Sequence, residues 1–243
     1  LTVCTSSQQL LNFLFSTYEN LLSQNRSLIH TKRELKQLND NLEKRIREKT
    51  LSLERTLNSM VIALTTAIEM RDPYTAGHQK SVSRLAFAIA KELGCSADQA
   101  GGVRVMGFLH DIGKIIVPAE VITKHSSLVD YELLFIKAHP KAGYDILKDI
   151  SFPWPVAMAV FQHHERINGS GYPAGLKGDE IIIEAKILAV ADVIESMASH
   201  RPYRPALGIQ MALNEIEKNR GVLYDAETAD ASLRLFREKE FKL

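Results

Sequence analysis

The chain has 243 residues, of which 45% are apolar and 24% charged. These proportions are those of ordinary globular proteins and exclude collagen-like and low-complexity chains. Because 30 basic residues nearly balance 29 acidic ones, the formal net charge of +1 gives no global field that would attract a nucleic acid polymer. Two cysteines and short apolar runs exclude a disulfide framework and a membrane span, and predict a cytoplasmic protein.

The first 72 residues contain neither glycine nor proline, which predicts one long uninterrupted helix. Apolar side chains recur in it every seven residues, at Leu21, Leu28, Leu35 and Leu42, and continue at Ile46, Leu53 and Met60. This spacing predicts a parallel coiled-coil homodimer, although a single solvated helix packed on its own domain has a similar composition. We therefore expect residues 1–58 to form a coiled-coil linker from an upstream sensor domain, and residues 59–243 to form a separate domain.

The second segment keeps a helical spacing of apolar residues. One stripe comprises Val82, Leu85, Ala86, Ile89, Ala90 and Leu93, and Gly94 is its expected C-terminal cap. Further stripes occupy residues 103–109, 131–138, 156–161, 185–197 and 209–216. The best strand candidate, residues 180–184, is equally a loop that leads into a helix. The pattern predicts an all-α domain of about seven helices.

Histidines and carboxylates mark the ends of several of these stripes. Four sites carry five histidines and one aspartate, and a further aspartate lies within an apolar helical run: His78, His110 with Asp111, His139, His163 with His164, and Asp192. Any one of these histidines alone is more typical of a core or helix-end residue. Together, five imidazoles and two carboxylates exceed the needs of one ion and predict two divalent ions, with iron, manganese, zinc and nickel as suitable elements. Two such ions can activate a water for in-line attack at phosphorus, which predicts phosphodiester hydrolysis.

Two further features are open to more than one interpretation. If the helix ending near His110 continues past Gly113, Lys114 shares a face with His110, and Asp111 is turned away by about 100°. Residues 169–178 contain four glycines and Pro173. Such a segment is either a backbone that closely approaches a ligand or a plain surface loop.

Five motifs in chain order resemble one family. They are His110-Asp111-Ile112-Gly113-Lys114, His139-Pro140, His163-His164-Glu165, Gly169-Ser170-Gly171-Tyr172-Pro173 and Arg201-Pro202-Tyr203-Arg204-Pro205. Over roughly residues 60–240 the chain resembles the HD-GYP domain, a bacterial branch of the HD phosphohydrolases. The resemblance implies an all-helical HD-type metal-dependent phosphohydrolase domain that degrades cyclic di-GMP to linear pGpG and in some members onward to GMP.

The resemblance also implies roles for individual residues. Seven would be metal ligands, with Asp111 bridging two ions: His78, His110, Asp111, His139, His163, His164 and Asp192. Lys114 would lie beside the scissile phosphate and act with Asp111 in catalysis. Four residues would hold the dinucleotide: Gly171, Tyr172, Arg201 and Arg204.

The chain departs from the family pattern at two positions. Some members bind a third ion through a glutamate four residues before the first histidine, where this chain has Tyr74, so we expect two ions. The usual aspartate before the glycine-rich motif is Asn168, which alters the charge of the loop. Two other functions remain open: hydrolysis of another cyclic dinucleotide such as cyclic GMP-AMP, and sensing of cyclic di-GMP without turnover. The usual mark of a sensing module is loss of ligands, and the chain keeps all seven.

Overall fold

The computed structural model describes residues 2–71, 77–124, 126, 129–199 and 206–243. Within these ranges the chain is helical and contains no β-strand, as the sequence predicts. The α-helices are α1 (Thr2–Glu69), α2 (His78–Glu92), α3 (Ala97–Leu109), α4 (Ala119–Ile122), α5 (Asp130–Lys137), α6 (His139–Leu147), α7 (Val156–Gln162), α8 (Ile183–Ala198), α9 (Ile209–Lys218) and α10 (Ala226–Arg237). Two 3-10 helices occupy Ile112–Ile116 and Gly178–Glu180. The strand candidate at residues 180–184 is therefore the end of a 3-10 turn and the start of α8.

The chain divides into two compact units, one ending at Asn58 and one comprising Ser59–Leu243. The first unit is formed by α1, which runs through the segment without helix-breaking residues. Its heptad positions are exposed in the single chain; Leu28 is 68% and Leu35 65% accessible. Among the described residues, no helix has both the length and the apolar character needed to cross a membrane.

Helix α8 lies at the centre of the second unit and packs against α2, α3, α7, α9 and α10. Its apolar residues Ile187, Leu188 and Ile194 are fully buried. The predicted stripe of α2 is buried from Val82 to Ala90, and the helix ends with Gly94 at φ 80°, the left-handed conformation of a C-terminal cap. Periodicity alone thus indicates which faces of these helices form the core.

A close backbone contact fixes α6 against the first 3-10 helix. A β-carbon at Gly113 would overlap the carbonyl oxygen of His139 and lie 2.5 Å from the amide nitrogen of Gly143. Both neighbours are backbone atoms, which cannot rotate away as a side chain can. Glycine at position 113 therefore sets the distance between the segment after His110 and the start of α6.

We expect Gly113→Ala to lower the free energy of unfolding by about 3 kcal/mol, the upper end of the usual cost of overpacking, because backbone must move. Gly101→Ala is the matched control, since a β-carbon there meets nothing within 4 Å. In the interior of α3 this control should be neutral or stabilise by about 0.5–1 kcal/mol. Urea unfolding of the two variants measures the difference, and equal stabilities would contradict the proposed contact.

Candidate metal centre

Helix ends place the candidate ligands of this centre. His78 is the first residue of α2 and His139 the first of α6. His110 and His163 are the C-terminal caps of α3 and α7. Asp192 projects from α8, the central helix. These positions let polar side chains leave the apolar faces of their helices and meet in one buried space.

Three of the histidines are oriented by the main chain. The Nδ1 atoms of His110, His139 and His163 lie 2.8, 2.6 and 2.6 Å from the carbonyl oxygens of the third residue before each. A carbonyl oxygen only accepts, so each Nδ1 donates and the neutral ring keeps a lone pair on Nε2. The backbone thereby turns three Nε2 lone pairs toward the centre.

The described residues contain two groups of three side chains that could hold a metal ion, and in each group the ligand atoms lie within 4.8 Å of one another. We call them the imidazole group, which comprises His139, His163 and His164, and the mixed group, which comprises His78, His110 and Asp192. Asp192 also links the two, because its second oxygen lies 4.0 Å from Nδ1 of His164.

Asp111 lies between the two groups. Its Oδ1 is 3.4 Å from Nε2 of His139, and its Oδ2 is 3.4 Å from Nε2 of His110 and 3.7 Å from Nε2 of His78. One carboxylate therefore presents one oxygen to each group. The structure thus brings together all seven residues that the resemblance indicates as ligands.

Lys114 faces Asp111 and does not share a helical face with His110. Helix α3 ends at Leu109, and Lys114 lies in a 3-10 helix that begins at Ile112. Its Nζ is 2.6 Å from Oδ2 of Asp111, a contact that the three-residue period of a 3-10 turn favours.

Burial makes the imidazole group neutral at physiological pH. It lowers the pKa of His139 to about 4 and that of His163 to about 3, and it also holds the pKa of His164 well below its usual range. Neutral imidazole is the form that binds metal ions.

The two aspartates are ionised in the same space. Burial alone would raise the pKa of Asp111, but the charge of Lys114 and the contact with His110 outweigh it and hold the pKa well below the usual value. For Asp192, burial likewise raises the pKa, but the neighbouring histidines, His78 first among them, together outweigh it and hold the pKa well below its usual value. The centre therefore combines neutral nitrogen donors with carboxylate oxygens.

The donor set fits divalent transition-metal ions. Within the described part of the chain, Nε2 of His110 is buried and has no hydrogen-bond partner. A buried polar atom without a partner is rare and costs free energy, whereas a metal ion would use its lone pair. Nitrogen and oxygen donors together suit these ions better than calcium, which prefers an all-oxygen shell.

The glycine-rich segment lies against this centre. The ring of Tyr172 stacks on that of His164, with centroids 4.7 Å apart. A β-carbon at Gly171 would overlap Cα of Glu165 and the amide nitrogen of Arg166, so the loop backbone packs directly on the residues that follow His164. The close approach of the backbone here is to the protein itself.

Sequence reasoning missed the function of two buried carboxylates. Glu165 accepts hydrogen bonds from the amides of Ala174, Gly175 and Leu176, at 2.7, 3.2 and 3.0 Å. Glu195 contacts Nδ1 of His78. The only signal in the sequence was a charged residue next to a candidate ligand or one helical turn beyond it. Three residues singled out from the sequence, Tyr74, Arg201 and Arg204, lie outside the described ranges.

Comparison with known proteins gives consistent matches. The HD domain family model matches residues 63–228. The cyclic di-GMP phosphodiesterase response regulator RpfG of Xanthomonas campestris is 38% identical over 202 residues, covering 78% of this chain and 53% of that protein. The 3′3′-cGAMP-specific phosphodiesterase 3 of Vibrio cholerae is 34% identical over 171 residues, covering 70% of this chain and 37% of that protein. The chain thus spans about half the length, or less, of these relatives.

A solved structure shows the same fold. Bd1817, an HDG"Y"P protein from Bdellovibrio bacteriovorus, superposes with a TM-score of 0.55 at 22% identity, covering 66% of this chain and 51% of that one. The likeness concerns the arrangement of the helices.

We expect Glu165→Gln to loosen the glycine-rich loop, because an amide group cannot accept from all three backbone donors. A buried donor left without an acceptor costs about 1–3 kcal/mol, so the amides of residues 174–176 should exchange hydrogen roughly tenfold faster or more. Glu180→Gln is the control, since the exposed side chain of Glu180 accepts one backbone hydrogen bond among the described residues, from Lys177 at 2.8 Å. Hydrogen-exchange mass spectrometry measures these exchange rates in both variants. Unchanged protection of residues 174–176 in Glu165→Gln would contradict the proposal that Glu165 holds the loop.

Proposed function

This chain belongs to the HD domain family and carries the motifs of its HD-GYP branch, and we propose that it is a metal-dependent phosphodiesterase that hydrolyses cyclic di-GMP to linear pGpG. The observation that carries the proposal is Asp111, which presents one carboxylate oxygen to each of two buried groups of metal-binding side chains. The activity of RpfG, a 38% identical relative named as a cyclic di-GMP phosphodiesterase, supports the choice of substrate.

Two ions would be held, one by the imidazole group and one by the mixed group, with Asp111 between them. Iron or manganese fits this donor set best, and zinc or nickel is an alternative. When bound, such ions supply Lewis acidity that activates water and neutralises charge on a phosphodiester. The protein would contribute seven side chains, and four of its histidines are oriented by hydrogen bonds to backbone carbonyls or a carboxylate.

Lys114 and Tyr172 would act on the substrate itself. The ammonium group of Lys114 is held by Asp111 and keeps 17% of its side chain accessible, so it can reach a phosphate oxygen and stabilise developing charge or protonate the leaving oxygen. Burial raises the pKa of Tyr172, so its phenol stays protonated and can donate a hydrogen bond. Gly171 lets the loop backbone that carries Tyr172 pack closely, and Arg201 and Arg204 would bind phosphates and guanines through their planar guanidinium groups.

Hydrolysis of 3′3′-cGAMP is the second candidate, because a relative 34% identical carries that name. The same metal centre would serve both reactions, since both cleave a phosphodiester. Contacts to the bases would separate the two substrates.

We expect the purified chain, loaded with iron or manganese, to convert cyclic di-GMP to pGpG and Asp111→Asn to reduce turnover at least about 100-fold, because the amide removes the charge that both groups share. Chromatography of the products measures this, with cyclic GMP-AMP as competing substrate. Lys141→Gln is a control, since Lys141 pairs with Asp145 on the exposed face of α6. Full turnover by Asp111→Asn would refute the metal mechanism, and preference for cyclic GMP-AMP would favour the second candidate.

We also propose that α1 pairs with a second copy of the chain as a parallel coiled coil. Its heptad leucines are exposed along the single chain, and polar Asn25 and Asn39 fall on the same seam, where such residues fix register. A row of exposed leucines at this spacing is buried most simply by an identical row.

Arg71, two residues beyond α1, holds the segment that follows Asp111 and Lys114. Just beyond α1, Arg71 donates to the carbonyl oxygens of Ile115 and, at 3.3 Å, Val117. Arg71 and this segment belong to the same compact unit, so these bonds would pass a displacement of the last turns of α1 to the residues after Lys114.

We expect Leu28→Glu combined with Leu35→Glu to convert a dimer to a monomer, because four like charges would face each other across the seam. Ser27→Glu combined with Gln37→Glu adds the same charge away from the seam and should remain dimeric. Light scattering of the full chain gives the mass of each variant. Equal masses for wild type and the leucine variant would rule out this seam as the dimer contact.

A further inference from the structure

Glu195 is a buried carboxylate that no step of the proposed reaction uses. It lies on α8, three residues after Asp192, and is 4% exposed. One oxygen hydrogen-bonds with Nδ1 of His78, and the other accepts from the hydroxyl of Ser199 at 2.8 Å. Both of its oxygens are therefore engaged, one of them with a candidate ligand.

His78 differs from three of the other histidines in what holds it. His110, His139 and His163 each donate to a backbone carbonyl three residues earlier. His139 also begins a helix, but α5 ends directly before it and supplies the carbonyl, whereas among the described residues no helix ends directly before His78. A carboxylate from α8 takes the place of that carbonyl. A carboxylate is the stronger acceptor, because its hydrogen bond is charge-assisted.

This contact determines what His78 presents to the centre. With the proton on Nδ1 directed at Glu195, the lone pair is on Nε2, which lies 3.3 Å from Oδ1 of Asp192 and 3.7 Å from Oδ2 of Asp111. Asp192 and Glu195 come from the same face of α8, so one rigid helix supplies both a ligand and the support of another.

We propose that Glu195 is a positioning residue that orients His78 and strengthens it as a ligand, so that it governs binding of the ion in the mixed group and not in the imidazole group. This inference rests on the metal centre of the proposed function. Partners of this kind typically contribute a factor of 10–100 to metal affinity. The three imidazoles of the other group make no such contact among the hydrogen bonds described for them, so the two ions should respond differently to loss of Glu195.

The test is manganese binding by the full chain without any nucleotide. At limiting free manganese, wild type should retain two ions per chain and Glu195→Gln one, with a weaker second step by about 10–100-fold. Glutamine keeps the size and one carbonyl acceptor but removes the charge. Glu195→Asp keeps the charge on a shorter side chain and should fall between the two, and it serves as the second variant if Glu195→Gln does not fold. Ser199→Ala is the control, because it removes the hydrogen bond from the Ser199 hydroxyl to Glu195 and leaves His78 unchanged.

A double-mutant cycle separates positioning from general support of the fold. If Glu195 acts through His78, Glu195→Gln should have no further effect on manganese affinity in a His78→Ala background. An equal effect in both backgrounds, or unchanged binding of both ions by Glu195→Gln, would overturn the proposal. If wild type binds no ion, the metal centre itself fails; if wild type binds two and the variant also two, only the role of Glu195 fails.

Discussion

The structure depends on how a helical fold satisfies five imidazoles and two carboxylates taken out of water. Burying polar groups without partners is expensive, and the outer face of this cluster is satisfied by the protein itself. Backbone carbonyls hold His110, His139 and His163, and a carboxylate holds His78. The Nε2 atoms of these histidines then face one another. Each carries a lone pair and no proton, so they cannot hydrogen-bond to one another. A cation meets the need of these nitrogen lone pairs and carboxylate oxygens at once, which is why the arrangement favours metal ions.

Most of these histidines are oriented by their position at the ends of helices. A side chain at a C-terminal cap can reach back to a carbonyl of the last turn, as His110 and His163 do in α3 and α7. His139 follows α5 and bonds to Ile136 in the last turn of that helix. His78 begins α2, and among the described residues no helix ends directly before it. For His78 a neighbouring helix supplies the acceptor, and the central position of α8 places that acceptor beside Asp192.

Local periodicity explains why much of this could be predicted from the sequence. The breaker-free segment became α1, and the stripe of Val82 to Ala90 became the buried face of α2, because each depends on residues close in the chain. Other features depend on distant backbone. Lys114 contacts Asp111 because residues 112–116 form a 3-10 helix. Within that helix, Gly113 packs closely against the backbone at the start of α6, which is distant in the chain. Glu195 lies 117 residues from His78 in the chain, and no periodicity links them.

Charge also accounts for how a nearly neutral chain could hold an anionic dinucleotide. The ionised pair Asp111 and Asp192 outweighs the ammonium group of Lys114, while the imidazole group is neutral at physiological pH. On side chains alone the centre is net negative and repels a phosphodiester. Metal ions held in the centre would reverse that sign, and Lys114 at the rim, together with the proposed contacts of Arg201 and Arg204, would add to the attraction for the phosphates. Because bound metal ions would change the net charge of the centre from negative to positive, substrate affinity should increase with metal occupancy.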